Sequence, residues 1–307
     1  MSSIVLQDSQ VSRKHAMVQY APDGRVYLTD LGSRNGTWLN QRRVTSPVAL
    51  STGDRVCVGG TELRFHGPAR GHSIHTAPQG ATMVGFSQGL ITVLVIDIRD
   101  FTGLSTRLPE ARLSELISLF MRESGVVLAE HYAWGQKFIG DAVMAVWLHA
   151  SGNLRLDELL PVFRSLERIV AIASGLHVTL GLEAPVLVGA GINSGMASIG
   201  NMGSDASADY TALSDAVNLA FRLESATKEI PEDVALGATI YDYLERHAEA
   251  GSLFSHYQMR LKGYPDPKPV HGINQSSMHE LLARMEVGLS QADPPTVRLS
   301  LSREVRS

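Results

Sequence analysis

The strongest constraint on the fold is a change of rhythm across residues 67–89, a stretch rich in Gly, Ser, Ala, His and Pro with little periodicity, which reads as a linker. Ahead of it, residues 1–66 are cut into short stretches rich in Val, Leu and Thr. Turn signals at Pro22-Asp23-Gly24, Gly32-Ser33-Arg34-Asn35-Gly36 and Thr52-Gly53-Asp54 separate them. That spacing predicts an all-β sandwich. Beyond the linker the pattern predicts a strand over 91–98, an amphipathic helix from Pro109 to about Glu130 and a hairpin over 135–147. A helix over 156–174, a strand over 186–193 and a helix beginning near Ser214 follow. Strands and helices alternating around an embedded hairpin predict a multidomain chain whose second domain is an α+β ferredoxin-like sheet over residues 90–274. Residues 275–307 hold one short amphipathic helix (Met278, Leu281, Leu282, Met285) and then a polar end expected to be disordered.

Composition narrows the function classes. A length of 307 residues with 44% hydrophobic side chains can bury the cores of two domains. Residues 1–66 carry 8 Lys+Arg against 5 Asp+Glu (+3) and the rest 19 against 26 (−7), so no nucleic-acid partner is expected. The longest apolar run, Ile91 to Ile98, is interrupted by Thr92 and Asp97 and is too short to span a bilayer. With no secretory leader at the start, a cytoplasmic location is expected. The single cysteine, Cys57, excludes disulfide and multi-cysteine zinc schemes, and its strand-like setting predicts a buried apolar thiol.

Two carboxylates carry the chemistry. Asp97 closes an apolar strand and Asp141 sits in a Gly-Asp turn. In a split sheet the strand after that turn lies antiparallel beside the first, which brings the two aspartates together. Each alone has an ordinary explanation as a helix cap or turn residue. Together they repel, and a divalent cation with an all-oxygen shell, Mg²⁺ or Mn²⁺, relieves that repulsion. Phe101-Thr102-Gly103 follow at a strand-to-helix junction, where backbone N–H groups could cradle a triphosphate. Lys137 lies on the first hairpin strand and could present a cation to a purine acceptor. Ser214 is a candidate N-cap, and Asn218 and Arg222 then fall at i and i+4 on one helical face.

Asp97-Ile98-Arg99-Asp100-Phe101-Thr102, Lys137-Phe138-Ile139-Gly140-Asp141, and Tyr210 through Glu224 with Asn218 and Arg222 resemble the catalytic domain of the class III nucleotidyl cyclases. Leu261-Lys262-Gly263-Tyr264 is similar to the family's closing hairpin. The resemblance implies an adenylate cyclase that makes 3′,5′-cyclic AMP and pyrophosphate from ATP as a homodimer. In it, one protomer supplies Asp97, Ile98 and Asp141 for two Mg²⁺ or Mn²⁺ ions per site, and the other supplies Lys137, Thr211, Asn218 and Arg222. Lys137 would read the adenine, where guanylyl cyclases typically carry Glu. Thr211 stands where many members place Asp, and Lys with Thr resembles the subgroup often responsive to bicarbonate. Asn218 would orient the ribose and Arg222 would stabilise charge on the α-phosphoryl group. Two positions depart from the family: Tyr264, where many members are basic, and Met196, where some carry Arg.

Ser12-Arg13-Lys14-His15, Asp30-Leu31-Gly32-Ser33-Arg34-Asn35-Gly36-Thr37 and Gly53-Asp54-Arg55-Val56 resemble a forkhead-associated (FHA) domain over residues 1–66. That resemblance implies a phosphothreonine-containing protein partner, with Ser12 and Arg13 on phosphate, Arg34 and Asn35 on the peptide, and His15 steadying the loop. The family's opening strands and its Gly-Arg phosphate contact would precede Ser2, so the domain is expected to be incomplete and to bind weakly. A catalytically silent phosphoprotein-binding module that uses the cyclase fold for dimerisation is the alternative. The filled catalytic positions speak against it.

Overall fold

The computed structural model describes residues 4–12, 15–20, 26–30, 33–44, 48–66, 87–149, 153–202 and 209–291; within these, the side chains of 19, 20, 49, 87, 199–202 and 209–213 lie outside the description. Two compact units divide the chain: residues 1–89 with 198–212 and 293–307, and residues 90–197 with 213–292. The expected turn at 22–24, most of the linker and the polar end from 292 onward lie outside the described residues.

Over residues 16–64 the strands are β1 (Ala16–Tyr20), β2 (Val26–Asp30), β3 (Thr37–Leu39), β4 (Arg42–Arg43), β5 (Val48–Leu50), β6 (Arg55–Val58) and β7 (Thr61–Arg64). One sheet runs β1-β2-β5 and the other β4-β3-β6-β7. Alternate residues of both, including Val26, Leu28, Leu39, Leu50, Val56 and Val58, share one buried core, which is what makes this a sandwich. Two-residue turns set the registers. Asn40 and Gln41, with φ of 48° and 70°, join Leu39 to its partner Arg42, and Gly59-Gly60 joins Val58 to Thr61. Cys57 corrects the expectation of a buried thiol. It alternates outward between Val56 and Val58, half-buried, its sulfur 3.9 Å from Glu62 across the hairpin. Partial burial and the Glu62 charge push the thiol pKa up.

In the cyclase-like part the order is β8 (Ser87–Ile98), α1 (Phe101–Arg107), α2 (Glu110–Glu130), β9 (Gly135–Ile139), β10 (Ala142–Leu148), α3 (Leu156–Leu180), β11 (Val188–Met202), β12 (Asp209–Leu213), α4 (Asp215–Ala226), β13 (Val234–Gly237), α5 (Ala238–Ala248), β14 (Ser255–Met259), β15 (Lys268–Ile273) and α6 (Met278–Gln291). The sheet runs β14-β15-β13-β11-β8-β10-β9, with β12 beside β11. Its segment β11-β8-β10-β9 is the strand order of a split β-α-β fold, as expected. Leu94, Ile96 and Ile98 of β8 bury into a core with Leu116 and Phe120 of α2 and with Phe163, Leu166 and Ile169 of α3.

Four extents differ from expectation, among them β11, which starts at Val188 and runs to Met202, well past the expected end at 193. β8 begins at Ser87, four residues early. α3 runs to Leu180, where Gly181 adopts the left-handed conformation; Gly175 does not end it because Leu176 and Leu180 are buried beyond. α6 is longer than expected and is no appendage. Met278, Leu281, Leu282 and Met285 belong to the same core as the sheet. Among the described residues no helix is long and apolar enough to cross a membrane.

At the far edge of this sheet the register pairs His256 with His271, and their Nδ1 atoms lie 2.9 Å apart. Tyr241 of α5 stacks on the His271 ring, centroids 3.8 Å apart. Burial, then the neighbouring His256, hold the His271 pKa down to about 4, against a weaker opposing pull from Asp242. A folded-state pKa below the unfolded one means that the stability this residue contributes is present above the unfolded value. It is lost as pH falls from about 6.5 towards about 4. His271→Phe, which keeps the stack on Tyr241, is therefore expected to flatten the fall in melting temperature over that window. Thermal scans of both proteins across the window check it.

Candidate active site

β10 runs antiparallel to β8 with Ala142 opposite Asp97, so the turn before Ala142 delivers Asp141 to the end of β8. The turn is two residues long, and its first, Gly140, has φ of 64°, which glycine adopts at no steric cost. The Asp97 and Asp141 carboxyl groups lie close enough for the charge of one to shift the other. Burial, then the Asp97 charge, push the Asp141 carboxyl above the usual carboxylate range. Two carboxylates held in contact in this way call for a cation. Lys228 supplies one, its Nζ donating to Asp97 Oδ2 at 3.0 Å. Burial alone would lower the Lys228 pKa, but the hydrogen bond to Asp97 and the charges of Glu224 and Asp97 outweigh it and raise the value.

Lys228 and its second partner, Glu224, were not among the expected site residues. Glu224 is buried at 4% exposure on α4, its Oε1 accepts no hydrogen bond, and Lys228 Nζ stands 3.6 Å away. Burial is the main cause of its raised pKa, with Asp97 adding to it and Lys228 opposing. An acidic and a basic residue at i and i+4 were visible in the sequence, but such pairs are usually solvated. That this lysine reaches an aspartate 131 positions away was not readable. Arg99 fixes the geometry by donating from Nη2 to the Thr227 carbonyl (3.1 Å) and hydroxyl (2.6 Å), which ties the end of α4 to the end of β8.

The residues after Asp97 form a strand-to-helix junction, β8 ending at Ile98 and the short helix α1 opening at Phe101. Asp100, in the left-handed region at φ 50°, caps α1 by accepting from the Gly103 N–H at 3.2 Å. Of the three residues expected to cradle phosphate, Gly103 has thus committed its N–H to Asp100, while Phe101 and Thr102 open the helix. Ile98 is buried directly beside Asp97.

On α4, Ser214 is the N-cap, accepting from the Val217 N–H at 3.3 Å. Asn218 is exposed and Arg222 half-buried. Among the described residues neither has a hydrogen bond or ion pair to Asp97 or Asp141. Ten residues separate Asn218 from Lys228, about 15 Å of helix rise. Lys137 stands on β9, the last strand of the sheet on the side away from β13, on which α4 packs. The chain therefore brings Asp97 and Asp141 together, while Asn218 and Arg222 lie further along α4 and Lys137 on the neighbouring strand β9. Thr211 lies on β12, but its side chain is outside the described residues. Tyr264 donates to Asp215 Oδ1 at 2.6 Å, and Lys268 Nζ lies 5.1 Å from the Tyr264 ring centre. Burial, then Asp215, push the Tyr264 hydroxyl up to about 12.

The first unit gathers polar loops at one end. His15, buried, accepts the Ser12 N–H at Nδ1 (3.0 Å) and donates from Nε2 to the Gly36 carbonyl (3.1 Å), which fixes its neutral tautomer. The Ser12 hydroxyl accepts the Arg34 N–H (3.1 Å), and Asn35 donates to the Gln10 carbonyl (2.8 Å). Asp30 accepts from the Ser33 N–H and hydroxyl and from Thr37, bracing the 33–37 loop. Ser12, Arg34 and Asn35 are thus brought together; Arg13 lies outside the described residues.

Comparison with known proteins agrees with both resemblances. The adenylate and guanylate cyclase catalytic domain model matches residues 86–275, and the FHA domain model matches residues 1–59. The chain belongs to the class III nucleotide cyclase family and carries an FHA domain ahead of the cyclase domain. Adenylate cyclase 1 of Rhizobium meliloti is 35% identical over 166 residues, 49% of this chain and 23% of that protein. The adenylate cyclase of Anabaena cylindrica is 28% identical over 156 residues, 50% of this chain and 31% of that protein. The chain thus spans less than a third of the length of either relative. The crystal structure of the guanylyl cyclase Cya2 superposes with a TM-score of 0.51 at 22% identity, covering 62% of this chain and 93% of that one, and shares the fold.

Proposed function

We propose that the chain is an adenylate cyclase that converts ATP to 3′,5′-cyclic AMP and pyrophosphate at sites shared between two copies, with the FHA domain coupling it to a phosphothreonine-containing protein. The observation that carries this reading is the meeting of Asp97 and Asp141 across the β8–β10 register, with Asn218 and Arg222 further along α4 and bonded to neither among the described residues. Among the described residues no three His, Cys, Asp or Glu side chains converge as a metal centre, so the two aspartates would rely on further oxygens, those of water or of substrate phosphates. Their contact, the raised Asp141 pKa and the ammonium already on Asp97 all fit a divalent cation. Asp97, Asp141 and the Ile98 carbonyl would hold Mg²⁺ or Mn²⁺, whose contribution when bound is to acidify the ribose 3′-hydroxyl and neutralise phosphate charge.

The chain's own side chains do the rest. From the second copy, Asn218 would accept or donate to the ribose and hold its 3′-oxygen in line with the α-phosphorus. Arg222 would place its guanidinium against the charge that develops there as pyrophosphate leaves. Lys137 would donate to the N1 acceptor of adenine, a position where guanine carries a donor. Phe101 and Thr102 would offer backbone N–H groups to the triphosphate.

The test is cyclic nucleotide production by the full chain with Mn²⁺ and either ATP or GTP. Cyclic AMP is expected to form, with GTP a poor substrate. Lys137→Glu should lower kcat/KM for ATP by at least about 100-fold, since a buried acceptor facing an acceptor loses its hydrogen bond and gains repulsion. A folded, dimeric protein that makes no product would refute the enzyme reading, and a preference for GTP would overturn the base assignment.

A further inference from the structure

Lys228 is placed as no ordinary surface lysine would be. Its ammonium sits 3.0 Å from Asp97 Oδ2 and 3.6 Å from Glu224 Oε1, between one carboxylate of the proposed metal pair and one that is buried. Glu224 Oε1 is shielded from water and accepts no hydrogen bond, a costly state for a buried oxygen. Moving the ammonium towards it by about half an ångström would bring the pair to hydrogen-bonding length. Lys228 is half-exposed, so the tip of its side chain has room to move, whereas the backbone beneath is pinned by Arg99 on Thr227.

We propose that Lys228 is the resident counter-ion of the Asp97–Asp141 pair, that a divalent cation must displace it from Asp97 in order to bind, and that Glu224 is the acceptor prepared for the displaced ammonium. The proposal rests on the assignment of Asp97 and Asp141 as metal ligands. An ammonium left on Asp97 beside a divalent ion would repel it across a few ångströms. Withdrawal to Glu224 frees the Asp97 oxygen for the metal, lessens that repulsion and satisfies the orphaned oxygen. The lysine spares the two aspartates from facing each other bare, and it sets the concentration at which metal takes over. Lys228 is in this sense a positioning residue, acting on the substrate only through Asp97.

The pairing predicts opposite effects from adjacent side chains, which a merely structural role would not. Mn²⁺ binding to the full chain without nucleotide, read from the electron paramagnetic resonance of the free ion, is compared with melting temperature in EDTA. Lys228→Met should tighten Mn²⁺ binding by about threefold to tenfold, the scale of a half-exposed ion pair, and lower the melting temperature in EDTA. Glu224→Gln should weaken binding by a similar factor, because the ammonium then keeps to Asp97. In the Lys228→Met background the Glu224→Gln effect should vanish. Unchanged or weaker binding by Lys228→Met, or an effect of Glu224→Gln that persists without the lysine, would overturn the proposal. Asp141→Ala separates the two levels of the argument: it should abolish binding, and Mn²⁺ affinity indifferent to it would bring down the metal assignment itself.

Discussion

Asp97→Ala and Arg222→Ala proteins are each expected to be inactive alone, with turnover down about a thousandfold or more, and to regain about a quarter of wild-type activity when mixed in equal amounts and allowed to exchange subunits. The figure follows from symmetry. Random exchange puts half of the dimers in the mixed form, and each mixed dimer has one site with both lesions and one with neither. The far end of α4 ties to β8 through Arg99 and Lys228, while Asn218 stands about 15 Å and Arg222 about 9 Å back along the helix, neither of them bonded to Asp97 or Asp141 among the described residues. If a second copy supplies these two, lesions in different halves of the site complement each other. Lesions in the same half, such as Asp97→Ala with Asp141→Ala, do not, and that mixture is the control. Both variants should remain folded, since Asp97 and Arg222 lie outside the apolar core. A mixture that exchanges subunits, shown by tagged copies co-purifying, and still makes no product would contradict a shared site. Full activity of either variant alone would remove that residue from the mechanism.

How much of this could be read from the sequence depended on the range of each interaction. The meeting of Asp97 and Asp141 followed from topology, because a strand, a helix and a hairpin leave few ways to close a sheet, and a glycine before Asp141 marked the turn. Ser214 as a helix cap was local chemistry, and it holds. Thr92 was noticed only as a polar break in an apolar run. In the structure its hydroxyl sits between His149 Nε2 and Ser194 Oγ, 2.6 Å from each, inside a buried chain that ends on Glu158. No local rule joins a strand residue to partners 57 and 102 positions away. Lys228 escaped for the same reason. The α6 helix was legible as an amphipathic stretch, but such a stretch after a domain's last strand does not announce which core it will enter. Gly59-Gly60 between β6 and β7 is a hairpin turn that its residue types alone mark.

Gly191, in the middle of strand β11, carries the second large expected effect. Gly191 lies on β11 opposite Ala235 of β13 and directly beneath α4. A methyl group built on it would overlap the Ala220 carbonyl oxygen and the Glu224 backbone nitrogen, both parts of the helix backbone and unable to turn aside. The buried residues of α4, Ala216, Ala220 and Leu223 among them, are mostly small, and Gly195 beneath Ala216 continues the close approach. Asn193, between the two glycines on the same face, donates to the Ala216 carbonyl at 3.1 Å and locks the contact. Gly191→Ala must therefore lift α4 from the sheet or bend β11, at a cost of about 3 kcal/mol or more, which for a domain of this size lowers the melting temperature by about 6 to 12 °C. Gly175 is the counterpart. It is exposed in the middle of α3 with nothing within 4 Å of an added methyl, so Gly175→Ala should gain about 0.5–1 kcal/mol from helix propensity alone and melt higher. Calorimetry on the two variants reads both signs at once. The same lift of α4 would carry Asn218, Arg222, Glu224 and Lys228 with it, so any folded Gly191→Ala protein should also lose turnover and metal affinity together, whereas Gly175→Ala should change neither. A Gly191→Ala protein as stable as wild type would mean that α4 does not rest on β11 as closely as these atoms require.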